Sequence, residues 1–204
     1  MRRYLLEAVG TMMLVLAFGL TSEPLALGLV LAALIYGGMF VSGAHFNPAV
    51  SFAYFIRRDI NFELFIGYSI SQILGAFAAS GLLLMITNSV FYAEPPSAST
   101  FTQQITVEIF LSFLLVYAYL SLLNHKSNDI IRLNALGVGL TLTAAVLIGQ
   151  NVSGAYLNPA LSIGSSVVDY LAVKGNSFIN IPLYTIAPLS GATLAALLNW
   201  YTSD

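Results

Sequence analysis

Long apolar stretches are the dominant pattern along this chain. A helix needs about 20 apolar residues to cross roughly 30 Å of hydrocarbon, and six stretches come close to or exceed that length. They run over Tyr4–Leu20, Pro24–Val41, Leu64–Ile86, Ile105–Leu123, Leu133–Val152 and Ile181–Tyr201. Four of them carry no charged residue, and the other two carry one carboxylate each, Glu7 and Glu108. The pattern predicts six transmembrane helices.

Two further apolar segments are too short to cross a bilayer. Asn47–Ile56 and Asn158–Val168 have about ten residues each, and both begin with Asn-Pro. Proline suits the first turn of a helix, where the missing N–H would have no partner. Ser-Gly-Ala, a run of small residues that allows a tight turn, stands shortly before each Asn. Half-length helices of this kind indicate a site near the membrane midplane.

The same order of features occurs twice, which predicts an internal repeat with approximate bounds 1–98 and 99–204. Each half has a Glu in its first span, then Ser-Gly-Ala-x-x-Asn-Pro-Ala, then a Tyr followed seven positions later by Gly-Ala. These features are Glu7, residues 42–49 and Tyr68 in one half, and Glu108, residues 153–160 and Tyr184 in the other. Three spans per half is an odd number, so the halves have to be inverted and their half-helices enter from opposite faces.

The positive charges predict the orientation. In a six-span arrangement six of the seven Lys and Arg residues fall on one side, namely Arg2, Arg3, Arg57, Arg58, Lys126 and Arg132. Only Lys174 falls on the other side. The positive-inside rule then places both termini in the cytoplasm, and we expect a plasma or inner membrane.

Composition narrows the function classes. The chain is 58% hydrophobic and 8% charged, whereas a soluble domain carries about 25% charged residues, so a lipid bilayer is the expected surrounding. Cys is absent and the two His residues are 80 positions apart, which disfavours a metal site. No nucleophile–base or paired-carboxylate arrangement is evident. We therefore expect no enzyme activity, no cofactor and no nucleic-acid partner.

The paired segments carry a family resemblance. Two Ser-Gly-Ala…Asn-Pro-Ala segments, one Glu in each of spans 1 and 4, and the Tyr68 and Tyr184 motifs resemble the major intrinsic protein family of aquaporins and aquaglyceroporins. The resemblance covers nearly the whole chain. It implies an all-α membrane protein with an aquaporin-like fold, six transmembrane helices and two re-entrant half-helices. It also implies a homotetramer with one pore in each protomer.

The half-helices define the expected pore centre. Two helix N-termini that face each other present unpaired N–H groups and partial positive charge, which repels cations. The resemblance implies that Asn47 and Asn158 hold the permeant molecule, within the motifs Asn47, Pro48, Ala49 and Asn158, Pro159, Ala160. Backbone carbonyls leading into the half-helices are expected to line the pore at Gly43, Ala44, His45, Gly154, Ala155 and Tyr156. The His45 side chain either lines the pore or anchors its loop.

Glu7 and Glu108 are ionisable groups at membrane depth, where such groups usually have a function. Their matching positions favour a structural role in which each carboxylate accepts hydrogen bonds from a re-entrant loop. A proton relay is the alternative.

The expected selectivity filter departs from the family. By the family pattern it consists of Leu27, Val146, Ala155 and Leu161, and Leu161 stands where aquaporins typically have Arg. A strict water channel usually has an aromatic residue, a His and an Arg among these four positions. Four aliphatic residues predict a filter without side-chain charge, although Tyr156, bulkier than the family norm, could refill some of the space. Ser162 and Tyr184, in contrast, are typical of water-type members.

These features predict a passive channel for water, other small uncharged solutes, or both. Three alternatives stay open. One is a facilitator of larger neutral solutes, such as metalloid hydroxides, urea, glycerol or peroxide, with low water flux. The others are a non-conducting structural protein and, least favoured because few ionisable groups lie in the membrane, a proton-coupled transporter.

Overall fold

The computed structural model describes residues 1–123 and 128–202, and within these ranges the side chains of all residues except 128, 129, 131 and 132. His125 and Lys126 lie outside the described residues, as does the side chain of Arg132.

The described residues form helices joined by loops, without a strand, which confirms the all-α class. The helices are α1 (Arg2–Leu20), α2 (Pro24–Ser42), α3 (Pro48–Ile56), α4 (Phe62–Thr87), α5 (Phe101–Leu122), α6 (Asn128–Gly149), α7 (Pro159–Val173) and α8 (Ile181–Thr202). A 3-10 turn, Ser177–Asn180, precedes α8.

Five helices, α1, α2, α4, α5 and α8, are long and apolar enough to cross a membrane. The part of α6 with described side chains, Leu133–Gly149, is a shorter apolar helix, as is α7. Large apolar side chains point outward on several helices, for example Leu74 and Phe110, which are 59% and 64% exposed. A water-facing surface rarely carries so much apolar area. The protein is therefore an integral, multi-pass membrane protein.

Two helices, α7 and α6, end more than one residue away from the predicted C-terminal bound. α7 continues five residues past Val168 and ends at Val173, because the chain contains no helix breaker before Lys174, which adopts a left-handed φ of 55°. α6 stops at Gly149 rather than Val152, and the amides of Val152 and Ser153 both donate to the Gly149 carbonyl. That turn redirects the chain into the second re-entrant loop.

The helices pack as pairs, α1 along α4, α5 along α8, and α2 along α6. Gly75 and Gly191, the glycines of the repeated Tyr motif, lie at the first two of these contacts. A Cβ atom at Gly75 would overlap the Ala8 carbonyl oxygen, and one at Gly191 would overlap the Ile109 carbonyl oxygen. Small residues permit this close backbone approach between membrane helices. The approach brings α1 and α5, and hence Glu7 and Glu108, against the re-entrant loops.

Candidate functional site

Asn47 and Asn158 cap the two half-helices. The Oδ1 atom of Asn47 accepts from the Ala49 amide at 2.8 Å, and the Oδ1 atom of Asn158 accepts from the Ala160 amide at 3.0 Å. Each helix then begins with proline. An Asn at the N-cap satisfies one of the N–H groups that a helix start leaves unpaired.

The same two side chains join the half-helices to each other. The Asn47 Nδ2 atom donates to the Leu157 carbonyl at 2.8 Å, and the Asn158 Nδ2 atom donates to the Phe46 carbonyl at 3.0 Å. A side-chain amide has two N–H groups. Each Asn therefore caps its own helix, holds the opposite loop with one N–H, and retains a second N–H.

The loops before the half-helices have an unusual backbone. Left-handed φ angles near 50° occur in each loop at two residues other than glycine, Ala44 and Phe46 in one and Ala155 and Leu157 in the other. Such conformations cost about 1–3 kcal/mol each and persist where neighbouring contacts hold them. The contacts here come from the two buried carboxylates.

Glu7 holds the first loop. Its carboxylate accepts from the Ser42 hydroxyl at 2.6 Å, the His45 amide at 3.0 Å and the Phe46 amide at 2.6 Å. The Gln72 amide nitrogen adds a fourth bond at 2.8 Å. Glu7 is fully buried, so these donors replace the water that a carboxylate would otherwise bind.

Glu108 holds the second loop with three donors. It accepts from the Ser153 hydroxyl at 2.9 Å, the Tyr156 amide at 3.2 Å and the Leu157 amide at 3.1 Å. Glu108 is also fully buried, and neither Glu lines the cavities described below. This geometry suits an anchor better than a proton relay, whose groups need a path between them.

His45 is fixed by side-chain contacts. Its Nδ1 atom lies 3.0 Å from the Ser51 hydroxyl, and its ring stacks on Tyr54 with centroids 4.4 Å apart. The side chain nevertheless forms part of a cavity wall. The two roles considered for His45, anchor and pore lining, are therefore both compatible with its position.

A small cavity lies where the half-helices meet. Its volume is about 10 Å³, which is about the space that one water molecule needs. Its ten lining residues form five pairs separated by 101 or 111 positions: Leu14 and Leu115, Phe18 and Tyr119, Leu31 and Leu142, His45 and Tyr156, Asn47 and Asn158. We call it the midplane cavity.

A larger space, of about 430 Å³, opens beside the end of α1. Leu27, Val146, Gly154 and Tyr156 belong to its wall, and we call it the outer vestibule. Two of the four expected filter positions, Leu27 and Val146, therefore line an open space. Ala155 and Leu161 are fully buried, and Leu161 belongs to an apolar cluster against which Tyr156 packs.

The expected carbonyls have a partner that the sequence did not suggest. The Tyr119 hydroxyl lies 3.4 Å from the Ala44 carbonyl oxygen and 3.3 Å from the His45 carbonyl oxygen. Tyr119 and Phe18 each follow the embedded Glu of their half by eleven positions, and both line the midplane cavity. That shared spacing is the signal by which sequence reasoning could have found them.

Within the residues that the structure describes, no group of three or more His, Asp or Glu side chains is arranged to hold a metal ion. Arg57 and Asp59 form an ion pair at 3.2 Å where α3 ends, away from the midplane cavity.

Comparisons with known proteins show the family and the fold of this chain. The profile of the family described as major intrinsic protein matches residues 1–199. A glycerol uptake facilitator protein-like 6 from Lactiplantibacillus plantarum is 34% identical over 96% of this chain and 95% of its own length. The lens fiber major intrinsic protein of Oryctolagus cuniculus is 34% identical over 85% of this chain and 66% of its own length. In fold, the chain is similar to an aquaglyceroporin from Plasmodium falciparum, with a TM-score of 0.83, 21% identity, and coverage of 97% and 94%.

Proposed function

Because this chain belongs to the major intrinsic protein family, a family of membrane channels, we propose that it conducts water and small uncharged solutes past Asn47 and Asn158. The observation that carries the proposal is the pair of Asn side chains on one cavity of about 10 Å³. Each side chain retains an N–H beyond the one that bonds the opposite loop. Two donors at one water-sized position suit a solute that presents oxygen.

Electrostatics favours neutral solutes. α3 and α7 begin beside the midplane cavity, at Pro48 and Pro159, and a helix N-terminus carries partial positive charge. The cavity wall contains no Asp, Glu, Lys or Arg among the described residues. A cation therefore meets repulsion there without a compensating carboxylate, whereas water and hydroxyl groups find donors.

A second candidate function is a facilitator of larger neutral solutes with low water flux. Two observations favour it. Leu27 and Val146 are apolar residues of the vestibule wall, and the relative from L. plantarum is named a glycerol uptake facilitator protein-like 6. Polyols present carbon as well as oxygen, and an apolar wall accommodates the carbon. The water-sized midplane cavity favours the first candidate over the second.

Orientation, repeat and assembly complete the proposal. Arg57, at the end of α3, donates to Asn199 near the end of α8, so the positive loop after α3 shares a face with the C-terminus. We assign this face to the cytoplasm of a plasma or inner membrane.

The five cavity pairs support two inverted halves, residues 1–98 and 99–204. Family membership supports a homotetramer, which cross-linking in intact membranes tests.

The experiment is osmotic swelling of proteoliposomes under water, glycerol and urea gradients. The Asn158→Asp variant keeps an oxygen for the helix cap but loses both N–H groups, so we expect water flux to fall about tenfold or more. Asn88→Asp, the same change at an exposed helix end, is the matched control and should behave like the unmodified protein. Swelling no faster than that of empty vesicles in all three gradients would show a non-conducting protein.

A further inference from the structure

Two aromatic side chains separate the outer vestibule from the midplane cavity. Among the described residues, only Phe18 and Tyr156 line both spaces. Their ring centroids lie 6.0 Å apart, and the ring planes are tilted by 44°. A solute that enters the midplane cavity from the vestibule has to pass this ring pair.

We propose that Tyr156, with Phe18 beside it, is the size-selecting constriction of this pore. The inference rests on the proposed function, since a constriction matters only if solutes pass. It differs from the filter expected from the sequence, which consists of four aliphatic positions and gives the Tyr156 side chain only the role of refilling some of the space.

Neighbouring rings hold the Tyr156 side chain across the path. Tyr184 meets it edge-on at 5.1 Å, with an interplanar angle of 89°, and Phe91 meets it at 6.4 Å and 69°. The ring also lies over Gly154, where an added Cβ atom would come within 2.5 Å of it. Glycine at 154 thus leaves the space that the ring occupies.

The same packing explains why Leu161 does not reach the path. Leu161 is fully buried, in a cluster that includes Val15 and Tyr184 and carries Tyr156 on its side. Leu161 lines neither the outer vestibule nor the midplane cavity, whereas Tyr156 lines both. Tyr156, and not Leu161, therefore presents its side chain to both spaces.

The chemistry of the constriction follows from its two rings. Their faces present apolar area that limits the cross-section, and the Tyr156 hydroxyl is a single donor and acceptor. Water can exchange one hydrogen bond with that hydroxyl, whereas a polyol has to leave several hydroxyl groups unpaired at about 1–3 kcal/mol each. We therefore assign water and solutes of similar size to the permeant class, and glycerol to the excluded class.

The first test truncates the ring. In proteoliposomes, Tyr156→Ala should raise glycerol permeability by at least about tenfold, the low end of the discrimination that one methylene gives in an apolar pocket. Water flux should not fall. Tyr156→Phe, which keeps the ring, should keep glycerol excluded, and Tyr201→Ala, the same truncation at an 81% exposed site, is the matched control. Glycerol permeability unchanged in Tyr156→Ala, with water flux preserved, would overturn the proposal.

A second test does not depend on how well the alanine variant folds. The chain has no cysteine, so Tyr156→Cys introduces the only thiol. We expect this variant to pass glycerol, and expect a bulky membrane-impermeant thiol reagent to remove that flux. Tyr201→Cys, treated with the same reagent, should show no change. Complete labelling of the cysteine at 156 with undiminished glycerol flux would contradict the assignment.

The outcomes separate this inference from the proposed function. If Tyr156→Ala conducts a solute and the unmodified protein conducts none, the constriction is supported and the proposed conduction is refuted. Water flux in the unmodified protein together with unaltered solute exclusion in Tyr156→Ala and Tyr156→Cys would support conduction and refute the constriction.

Discussion

The two re-entrant loops have nearly the same backbone but different side-chain support. In the first loop His45 bonds Ser51, Ser51 accepts from Gln72, and Gln72 also donates to Glu7. This chain of hydrogen bonds links the loop, its half-helix and α4.

The second loop has no counterpart of that chain among the described residues. Tyr156 stands at the His45 position, and Pro188 stands four residues after Tyr184, as Gln72 does after Tyr68. Ser162, placed like Ser51 after its Asn-Pro-Ala, has a buried hydroxyl without a hydrogen-bond partner. Aromatic contacts replace the polar network there.

In these two loops, different residues determine the backbone conformation and the side-chain lining. The Glu carboxylate and the two Asn side chains produce the left-handed turns in both loops. The remaining positions are free to form a hydrogen-bonded wall on one side and an aromatic wall on the other. Substitutions at matched positions test this difference between the two loops.

We expect the largest loss of stability when the two buried carboxylates, Glu7 and Glu108, are replaced. Glu7→Gln and Glu108→Gln each turn one acceptor oxygen into a donor that faces other donors, and a hydrogen bond to a charged group contributes about 1.5–3 kcal/mol. We expect a loss of at least about 3 kcal/mol in each, larger for Glu7 because it has four donors against three.

Thermal unfolding in detergent, with swelling assays on the folded fraction, measures this loss. The solutes that pass should stay the same in both variants. Full stability with altered selectivity would instead indicate that the carboxylates act on the permeant solute.

The next largest effect is a difference in stability between variants at Ser51 and at Ser162. Ser51→Ala removes the hydrogen-bond partner of the His45 Nδ1 atom and one of the two partners of the Gln72 amide nitrogen, which costs about 1–3 kcal/mol. Ser162→Ala removes a hydroxyl without a partner and should be neutral or slightly stabilising. Unfolding temperatures of the two variants, measured side by side, check the difference. Equal losses would mean that the second loop has a polar network of its own.

A third variant tests the filter position expected from the sequence. Leu161→Arg introduces a charge at a buried position, in the apolar cluster against which Tyr156 packs, so an Arg head group that reaches the vestibule has to disturb the packing of the ring. We expect glycerol permeability and proton leak to change by roughly tenfold, equivalent to about 1.4 kcal/mol. Water, glycerol and proton flux are measured in the same vesicles. No change in size cut-off or leak would mean that an Arg side chain at position 161 does not displace the Tyr156 ring.

The smallest effect concerns the Tyr119 hydroxyl. Its contacts with the Ala44 and His45 carbonyls are long, 3.4 and 3.3 Å, so Tyr119→Phe should cost no more than about 1 kcal/mol and alter water flux a few-fold. Phe18→Tyr makes the opposite change at the matching position in α1. Stopped-flow measurements of water permeability in both variants compare the α1 and α5 walls of the midplane cavity. A loss of tenfold or more in Tyr119→Phe would show that this hydroxyl contacts the permeant water.

Local pattern was sufficient for the helices and anchors. Apolar length predicted the membrane helices, and Asn-Pro predicted where the half-helices begin, because capping and proline placement depend on adjacent residues. The length of α7 was missed because its last turn has no sequence signal until Lys174. Phe18 and Tyr119 were missed because each lies in a largely apolar helix, where only their shared spacing of eleven positions from Glu7 and Glu108 distinguishes them from rings that face lipid.

The helical class, the order of the helices, the paired half-helices and the family could be predicted from the sequence, because each depends on residue type and spacing along the chain. Which side chains meet at the midplane cavity could not be predicted, since that depends on helix rotation and on ring packing between distant segments. Leu161 and Tyr156 illustrate the difference. They are five positions apart in sequence, yet Tyr156, whose ring packs against Tyr184 and Phe91, lines the midplane cavity and Leu161 does not.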